Sequence, residues 1–230
     1  MFDAELLSRG KADQILEQAR DVLTIRTLQT LQEFNSLRAE AESSNQRAAQ
    51  LQKEAQLDPL TGPCNRAYLD LALNRDVERA TDSHGPQSLA FCNRDNFKRV
   101  NDTYGHQAGD RVLESAARLL RAQTRDSDTL ARYGGEEFVI VLPNTDRDTA
   151  RKVCERIVRA CSDAPHDIGS VRLPVTLSIG CATYTPDAPF ANAAELVNAA
   201  DLALYAAKDR GRNQAVPFAA GMIQPLARVV

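Results

Sequence analysis

The sequence has no broad excess of either charge, no long apolar run, few aromatic residues and no CxxC pair, and each absence removes a class of function. Its 230 residues carry 28 Lys plus Arg against 31 Asp plus Glu, a formal charge of -3. That balance gives little electrostatic support to a chain that coats nucleic acid or lies on an acidic membrane, although a local phosphate-binding patch would not show in a total. The longest apolar stretch is about five residues, Phe138 to Leu142, and the N-terminus MFDAELLSRG carries acids. Neither a spanning helix nor a secretory signal is read there, so a cytoplasmic protein is expected. The five cysteines, Cys64, Cys92, Cys154, Cys161 and Cys181, are odd in number and fit reduced, mostly buried thiols rather than bridges or a zinc site. At 43% hydrophobic and 5% aromatic the chain is neither disordered nor collagen-like, and it has room for one sizeable core.

What is present divides in two. Residues 1–57 hold one glycine, Gly10, and no proline, and are rich in Leu, Ala, Gln, Glu and Arg, which favour helix. Phe34, Leu37, Ala41, Ser44, Ala48, Leu51 and Ala55 recur at alternating steps of three and four, the seam of a coiled coil. Its middle positions are small or polar, which suits a tight or weakly stable pair; a lone amphipathic helix docked on its own domain is the other reading. Upstream, Leu16, Leu23, Leu28 and Leu31 continue the stripe out of strict phase, as a stutter would. Helical throughout, the arm would reach on the order of 85 Å at 1.5 Å per residue.

Asp58-Pro59-Leu60-Thr61-Gly62-Pro63 ends that helix, since two prolines and a glycine cannot continue it. Residues 58–217 read as one domain and 218–230 as a C-terminal tail. Within the domain the pattern predicts a strand at Ser88–Asn93, helices at Asp95–Asp102 and Ala108–Ala122, and a hairpin of Leu130–Tyr133 and Phe138–Leu142 around Gly134-Gly135. A helix at Asp146–Cys161, a strand at Leu173–Thr183 and a last helix at Ala193–Lys208 follow. In the late strand Val175, Leu177, Ile179 and Cys181 alternate with Thr176, Ser178, Gly180 and Ala182, the pattern of a half-buried strand. Mixed order of this kind predicts an α+β sandwich.

Three clusters could carry chemistry, and each has an ordinary reading in isolation. Asn93-Arg94-Asp95-Asn96-Phe97-Lys98 stands where a strand gives way to a helix, whose free N–H groups suit phosphate; a polar strand end looks the same. Arg132-Tyr133-Gly134-Gly135-Glu136-Glu137-Phe138 pairs glycines that admit a close ligand with two carboxylates that could hold Mg²⁺ or simply be solvated. Lys208 and Arg212 could meet phosphate or only complement a helix end.

Taken in order and spacing, Asp58-Pro59-Leu60-Thr61-Gly62, Asn65-Arg66, Asn96-Phe97-Lys98, Asn101-Asp102, Gly105-His106, Gly109-Asp110, the Arg132–Phe138 run, Ser178-Ile179-Gly180, Ala200-Asp201, Tyr205 and Lys208 with Gly211-Arg212-Asn213 closely resemble the GGDEF family of diguanylate cyclases, in its GGEEF variant. The likeness spans Asp58 to about Val216. It implies a mixed sheet flanked by helices, like the palm of nucleotide cyclases and polymerases, and a dimer that condenses two GTP into cyclic di-GMP. It also implies roles. Glu136 would ligate Mg²⁺ or Mn²⁺ and help activate the ribose 3′-hydroxyl, with Asn93 and the Arg94 carbonyl as further metal ligands. Asn96, Phe97, Lys98, Gly134, Gly135, Lys208 and Arg212 would hold the triphosphate, and Lys98 would stabilise charge in the transition state. Asn101 and Asp110 would read the guanine edge, since a carboxylate accepts from guanine N1–H and N2–H₂ together, and His106 would lie nearby. Arg125-Asp126-Ser127-Asp128, five residues before Gly134, resembles the family's inhibitory site, where Arg125 and Asp128 would bind cyclic di-GMP as product inhibitor.

The sequence departs from that pattern at the metal strand. Where the family has Asp, an apolar residue, then Asp, this chain has Asn93, Arg94 and Asp95. Asn93 removes a negative charge from a site for hard cations, which predicts a rate loss on the order of 10² or more. Arg94 falls on a core-facing position, where an unpaired guanidinium is costly, so it is expected to snorkel outward or find a carboxylate. Pro63 replaces the usual leucine after Thr61-Gly62. Two functions follow: a weakened diguanylate cyclase regulated by its arm and by product, or a catalytically silent receptor for cyclic di-GMP.

Overall fold

The computed structural model describes residues 2–83, 85–167, 172–185, 190 and 192–222. Two compact units divide the chain, Met1–Glu54 and Ala55–Val230. The first is one helix, α1 (Phe2–Glu54). Its apolar stripe is open to solvent: Leu23 is 66% exposed, Phe34 61%, Leu37 64% and Leu51 65%. Thr24, Thr27 and Thr30 turn their hydroxyls back onto the carbonyls four residues earlier, at 2.8 to 2.9 Å, which removes polar demand from the surface between the leucines.

The second unit is a five-stranded sheet between two helical layers. Its elements are α2 (Arg66–Ser83), β1 (Gln87–Arg94), α3 (Phe97–Tyr104), α4 (His106–Ala122), β2 (Thr129–Arg132), β3 (Glu137–Pro143), α5 (Arg147–Asp163), β4 (His166–Asp167), β5 (Arg172–Leu173), β6 (Leu177–Tyr184), α6 (Ala193–Asp209) and β7 (Ala215–Pro217). The strand order is β2-β3-β1-β6-β7, with β4 and β5 forming a separate pair. β1 lies at the centre, antiparallel to β3 and β6, and β7 adds parallel to β6. One sheet face packs Ala90, Cys92, Ile140 and Ile179 against α3, α4 and α5; the other packs Leu89, Phe91, Val139 and Val141 against α2 and α6. A strand covered on both faces must be apolar throughout, and every residue of β1 is buried.

This is the mixed α+β sheet flanked by helices and preceded by a long helix that the sequence predicts, with instructive differences. The late strand is two pieces, β5 and β6, parted at Pro174, which cannot donate to a ladder. Nor is β6 half-buried: Ser178 is fully buried, and Ala182 nearly so, because α6 lies on the face that alternation assigned to solvent. Gly180 makes that approach possible, since a Cβ there would collide with the backbone of Ala200 and Leu204. α2 and β7 were not foreseen. Leu69, Leu73 and Val77, four residues apart, are the buried ridge of α2. α3 starts at Phe97 rather than Asp95, because Asn96 takes a left-handed φ of 56°. All five cysteines are free, four of them buried. Of the expected tail, residues 223–230 lie outside the described residues.

Gly180→Ala must push α6 off the sheet, and a cost of about 3 kcal/mol is expected by denaturant unfolding; an unchanged midpoint would contradict the packing described.

Candidate nucleotide site

The site is assembled at the C-terminal end of β1. There Asn93 pairs across the sheet with Glu137 of β3 and Ser178 of β6. The Gly134-Gly135 turn closes the β2–β3 hairpin, with the Tyr133 N–H bonded to the Glu137 carbonyl at 2.8 Å. Gly134 has to lack a side chain, since a Cβ would stand 2.7 Å from Glu137 Oε2, whereas Gly135 faces open space.

Arg132 holds this turn in place. Its Nε donates to the Gly134 carbonyl at 3.2 Å, one terminal nitrogen to the Gly135 carbonyl at 2.8 Å, and the other to both Asp58 oxygens at 3.1 and 3.3 Å. Asp58 also accepts from the N–H and hydroxyl of Thr61, at 2.8 and 2.6 Å. Burial alone would raise the Asp58 carboxyl, but the bonds from Thr61 and Arg132 outweigh it and hold it below the usual aspartate range. The sequence reading quoted these residues without assigning them this task; an aspartate followed three residues later by threonine is a turn signature that could have shown it.

Glu136 lies half-buried among the groups that the resemblance names. Burial pushes its carboxyl up; the Asn93 side chain, hydrogen-bonded to it, and the Lys208 charge pull it back, while Glu137 and Asp95 add negative charge nearby. Asn93, Glu136 and Lys208 therefore share one site. For a hard divalent cation the oxygen donors are the Glu136 carboxylate, the Asn93 amide oxygen and the Arg94 carbonyl. A half-buried carboxylate under that electrostatic load suits a cation, so the donor set fits one, though with a single charged ligand. Among the described residues no group of three or more His, Cys, Asp or Glu gathers as a metal cluster.

Arg94 neither snorkels nor has a carboxylate as its main anchor. It is fully buried, donating to the Val175 carbonyl at 2.8 Å and lying 3.6 Å from Cys161 Sγ. Burial lowers its pKa, and the nearby Cys161 and Asp95 partly restore it. The sheet covers Arg94 on both sides, which leaves a long side chain no path to water; the exposed carbonyls beside Pro174 take the place of a counter-ion.

Between α3 and α4, Phe97, Asn101 and Gly109 close up together, with Asp110 at the exposed rim. Asn101 Oδ1 is buried and has no hydrogen-bond partner, and a Cβ on Gly109 would strike it. A buried acceptor left open is what a base-edge N–H would satisfy. Lys98, His106 and Arg212 are exposed and Asn96 sits at the turn into α3. The Arg125–Asp128 turn lies at the other end of β2 from the glycines: Asp128 is 7% exposed and accepts from the Arg125 N–H at 2.8 Å, and it borders a cavity of about 730 Å³ with Tyr68, Arg118 and Arg121.

Residues 55–214 match the family model of the diguanylate cyclase GGDEF domain. The chain belongs to the GGDEF-domain family of diguanylate cyclases. Diguanylate cyclase DgcP of Pseudomonas aeruginosa is 39% identical over 81% of this chain and 28% of its own length, and the response regulator PleD of Caulobacter vibrioides 40% over 71% and 36%. The chain thus spans about a third of these curated relatives. Among solved structures, the coiled coil and GGDEF domain of DgcB from Caulobacter crescentus in complex with c-di-GMP aligns with a TM-score of 0.75 at 29% identity, over 80% of this chain and 97% of that one. Diguanylate cyclase SiaD of Pseudomonas aeruginosa, in complex with its activator SiaC, aligns at 0.68 and 33% identity, over 92% and 81%. No helix among the described residues is long and apolar enough to cross a membrane.

Asp58→Asn is expected to cost about 2 kcal/mol at pH 7. Because the folded pKa is depressed, that cost is present above the unfolded aspartate value near 3.9 and fades as pH falls through it and then through the folded value. Unfolding of both forms from about pH 7 to 3 checks this; a difference that grows on acidification would contradict it.

Proposed function

We propose that this chain is a slow diguanylate cyclase, condensing two GTP into cyclic di-GMP as a homodimer in the cytoplasm. The observation that carries the reading is Glu136: a half-buried carboxylate with a raised pKa, beside Asn93 and Lys208, at the end of β1. Such a group is placed to take the proton of a ribose 3′-hydroxyl as that oxygen attacks the α-phosphate of the partner's GTP and pyrophosphate leaves. Lys98, Lys208 and Arg212, with the backbone of Asn96, Phe97, Gly134 and Gly135, hold the triphosphate and meet the charge that accumulates. Asn101 Oδ1, buried and open, accepts from the guanine edge, joined by Asp110, with His106 alongside. Mg²⁺ or Mn²⁺, held by Glu136, Asn93 Oδ1 and the Arg94 carbonyl, supplies charge neutralisation at the phosphates. Arg125 and Asp128, beside the 730 Å³ cavity, take cyclic di-GMP as product inhibitor.

A second reading, a catalytically silent cyclic di-GMP receptor, is favoured by the same strand. An amide stands where a carboxylate would serve the cation, and a guanidinium is buried beside it. Incubation with GTP and Mg²⁺ or Mn²⁺, followed for cyclic di-GMP, separates the two. Slow product is expected, and Asn93→Asp with Arg94→Leu should raise the rate about 100-fold. No product from the native chain, with product from the double variant, would leave the receptor; cyclic di-GMP binding that survives Arg125→Ala would sink the receptor.

Because two loaded domains must meet, α1 pairing through Phe34, Leu37 and Leu51 raises their effective concentration. Removing residues 1–54 stops short of the Gln56 carbonyl that the Asn65 N–H uses. Light scattering should then find mostly monomer, with turnover nearly lost at low micromolar concentration; unchanged turnover per chain would refute the role of the arm.

A further inference from the structure

Asp95 was assigned nothing above, yet its surroundings are those of a group with a task. It is 3% exposed, and its carboxylate accepts three hydrogen bonds: Ser178 Oγ to Oδ1 at 2.7 Å, Thr176 Oγ1 to Oδ2 at 2.7 Å, and the Asn213 N–H to Oδ2 at 3.1 Å. Its own N–H donates to the Thr176 carbonyl at 3.0 Å. Three separate pieces of chain, the end of β1, the start of β6 and the turn after α6, thus meet on one side chain.

The turn after α6 is the piece that needs holding. Gly211, Arg212 and Asn213 have φ values of 110°, 64° and 48°. Glycine adopts such a φ without penalty, but the arginine and the asparagine are strained there, and strained residues persist only where the surroundings over-determine them. The bonds found are the Arg212 N–H to the Ala207 carbonyl at 3.0 Å and the Asn213 N–H to Asp95. The first belongs to the helix end; only the second ties the turn to the strand that carries Asn93. Arg212 is the residue between them, and its backbone conformation decides where its exposed guanidinium is aimed.

We propose that Asp95 is a positioning residue for Arg212: by accepting the Asn213 N–H, the carboxylate pins the left-handed turn so that the guanidinium meets the triphosphate bound at the end of β1. This rests on the reading of Arg212 as a phosphate ligand. Asp95→Asn keeps the shape but presents one acceptor oxygen in place of two, so an amide nitrogen must face at least one of the three donors.

The test is calorimetric binding of a non-hydrolysable GTP analogue, with Mg²⁺, to the full chain and three variants: Asp95→Asn, Arg212→Ala and both. Asp95→Asn should weaken the analogue about tenfold. In the Arg212→Ala background it should add little, because residues that act through one another are not additive. A merely structural Asp95 would give the same loss in either background, and that result, or an unchanged affinity in Asp95→Asn, overturns the proposal. Binding of cyclic di-GMP should be the same in all folded forms. Should Asp95→Asn not fold, Thr176→Val with Ser178→Ala leaves the carboxylate its Asn213 bond, and must keep the analogue's affinity within about twofold; loss of affinity in that folded pair overturns the proposal. If the native chain binds no analogue, the nucleotide reading falls and this one with it; if the native chain binds and the variants do not differ, this one falls alone.

Discussion

The constraint on which the site depends is the grip of Arg132 on the Gly134-Gly135 turn. One planar guanidinium reaches two turn carbonyls and the Asp58 carboxylate at once, a geometry that a lysine ammonium cannot reproduce. Asp58 is itself anchored by Thr61, so the chain that enters the domain and the chain that turns at the catalytic hairpin are fastened together. With the turn held, Glu136 stands at the mouth of β1 rather than swinging in solvent.

β1 gives that mouth its chemistry. A central strand buried on both faces can place polar groups only at its end, and there this chain has Asn93, Arg94 and Asp95 in succession. The three have different fates. Asn93 faces Glu136, Arg94 goes under the sheet to the Val175 carbonyl, and Asp95 turns to the post-α6 loop. Two neighbouring side chains thus tie down different parts of the wall: Arg94 the carbonyls after Pro174, Asp95 the hydroxyls of Thr176 and Ser178. Exchanging a carboxylate and an apolar residue for an amide and a guanidinium therefore alters the charge at the site and the bracing behind it together.

Much of this was legible in the chain. Glycines between short apolar runs predicted the hairpin, and the order of Asn96-Phe97-Lys98, the Arg132–Phe138 run and Lys208 with Arg212 carried the family. The misses share one cause. Alternation in Leu177–Cys181 reads as one wet face because nothing in a strand reports the helix laid over it; only the clash at Gly180 reveals α6. α2 was overlooked although Leu69, Leu73 and Val77 have helical spacing, because the stretch is otherwise polar.

By itself the sequence determined the division into a helical arm and one α+β domain, the hairpin and the identity of the groups available for phosphate, base and cation. Local propensity and residue chemistry suffice for those, since they depend on neighbours along the chain. Only the tertiary structure decided where Arg94 goes, that Asp95 is a junction and that Asn101 is left with an open acceptor. Those outcomes depend on which distant carbonyl, hydroxyl or N–H is brought within about 3 Å, a distance set by packing and not by order in the chain.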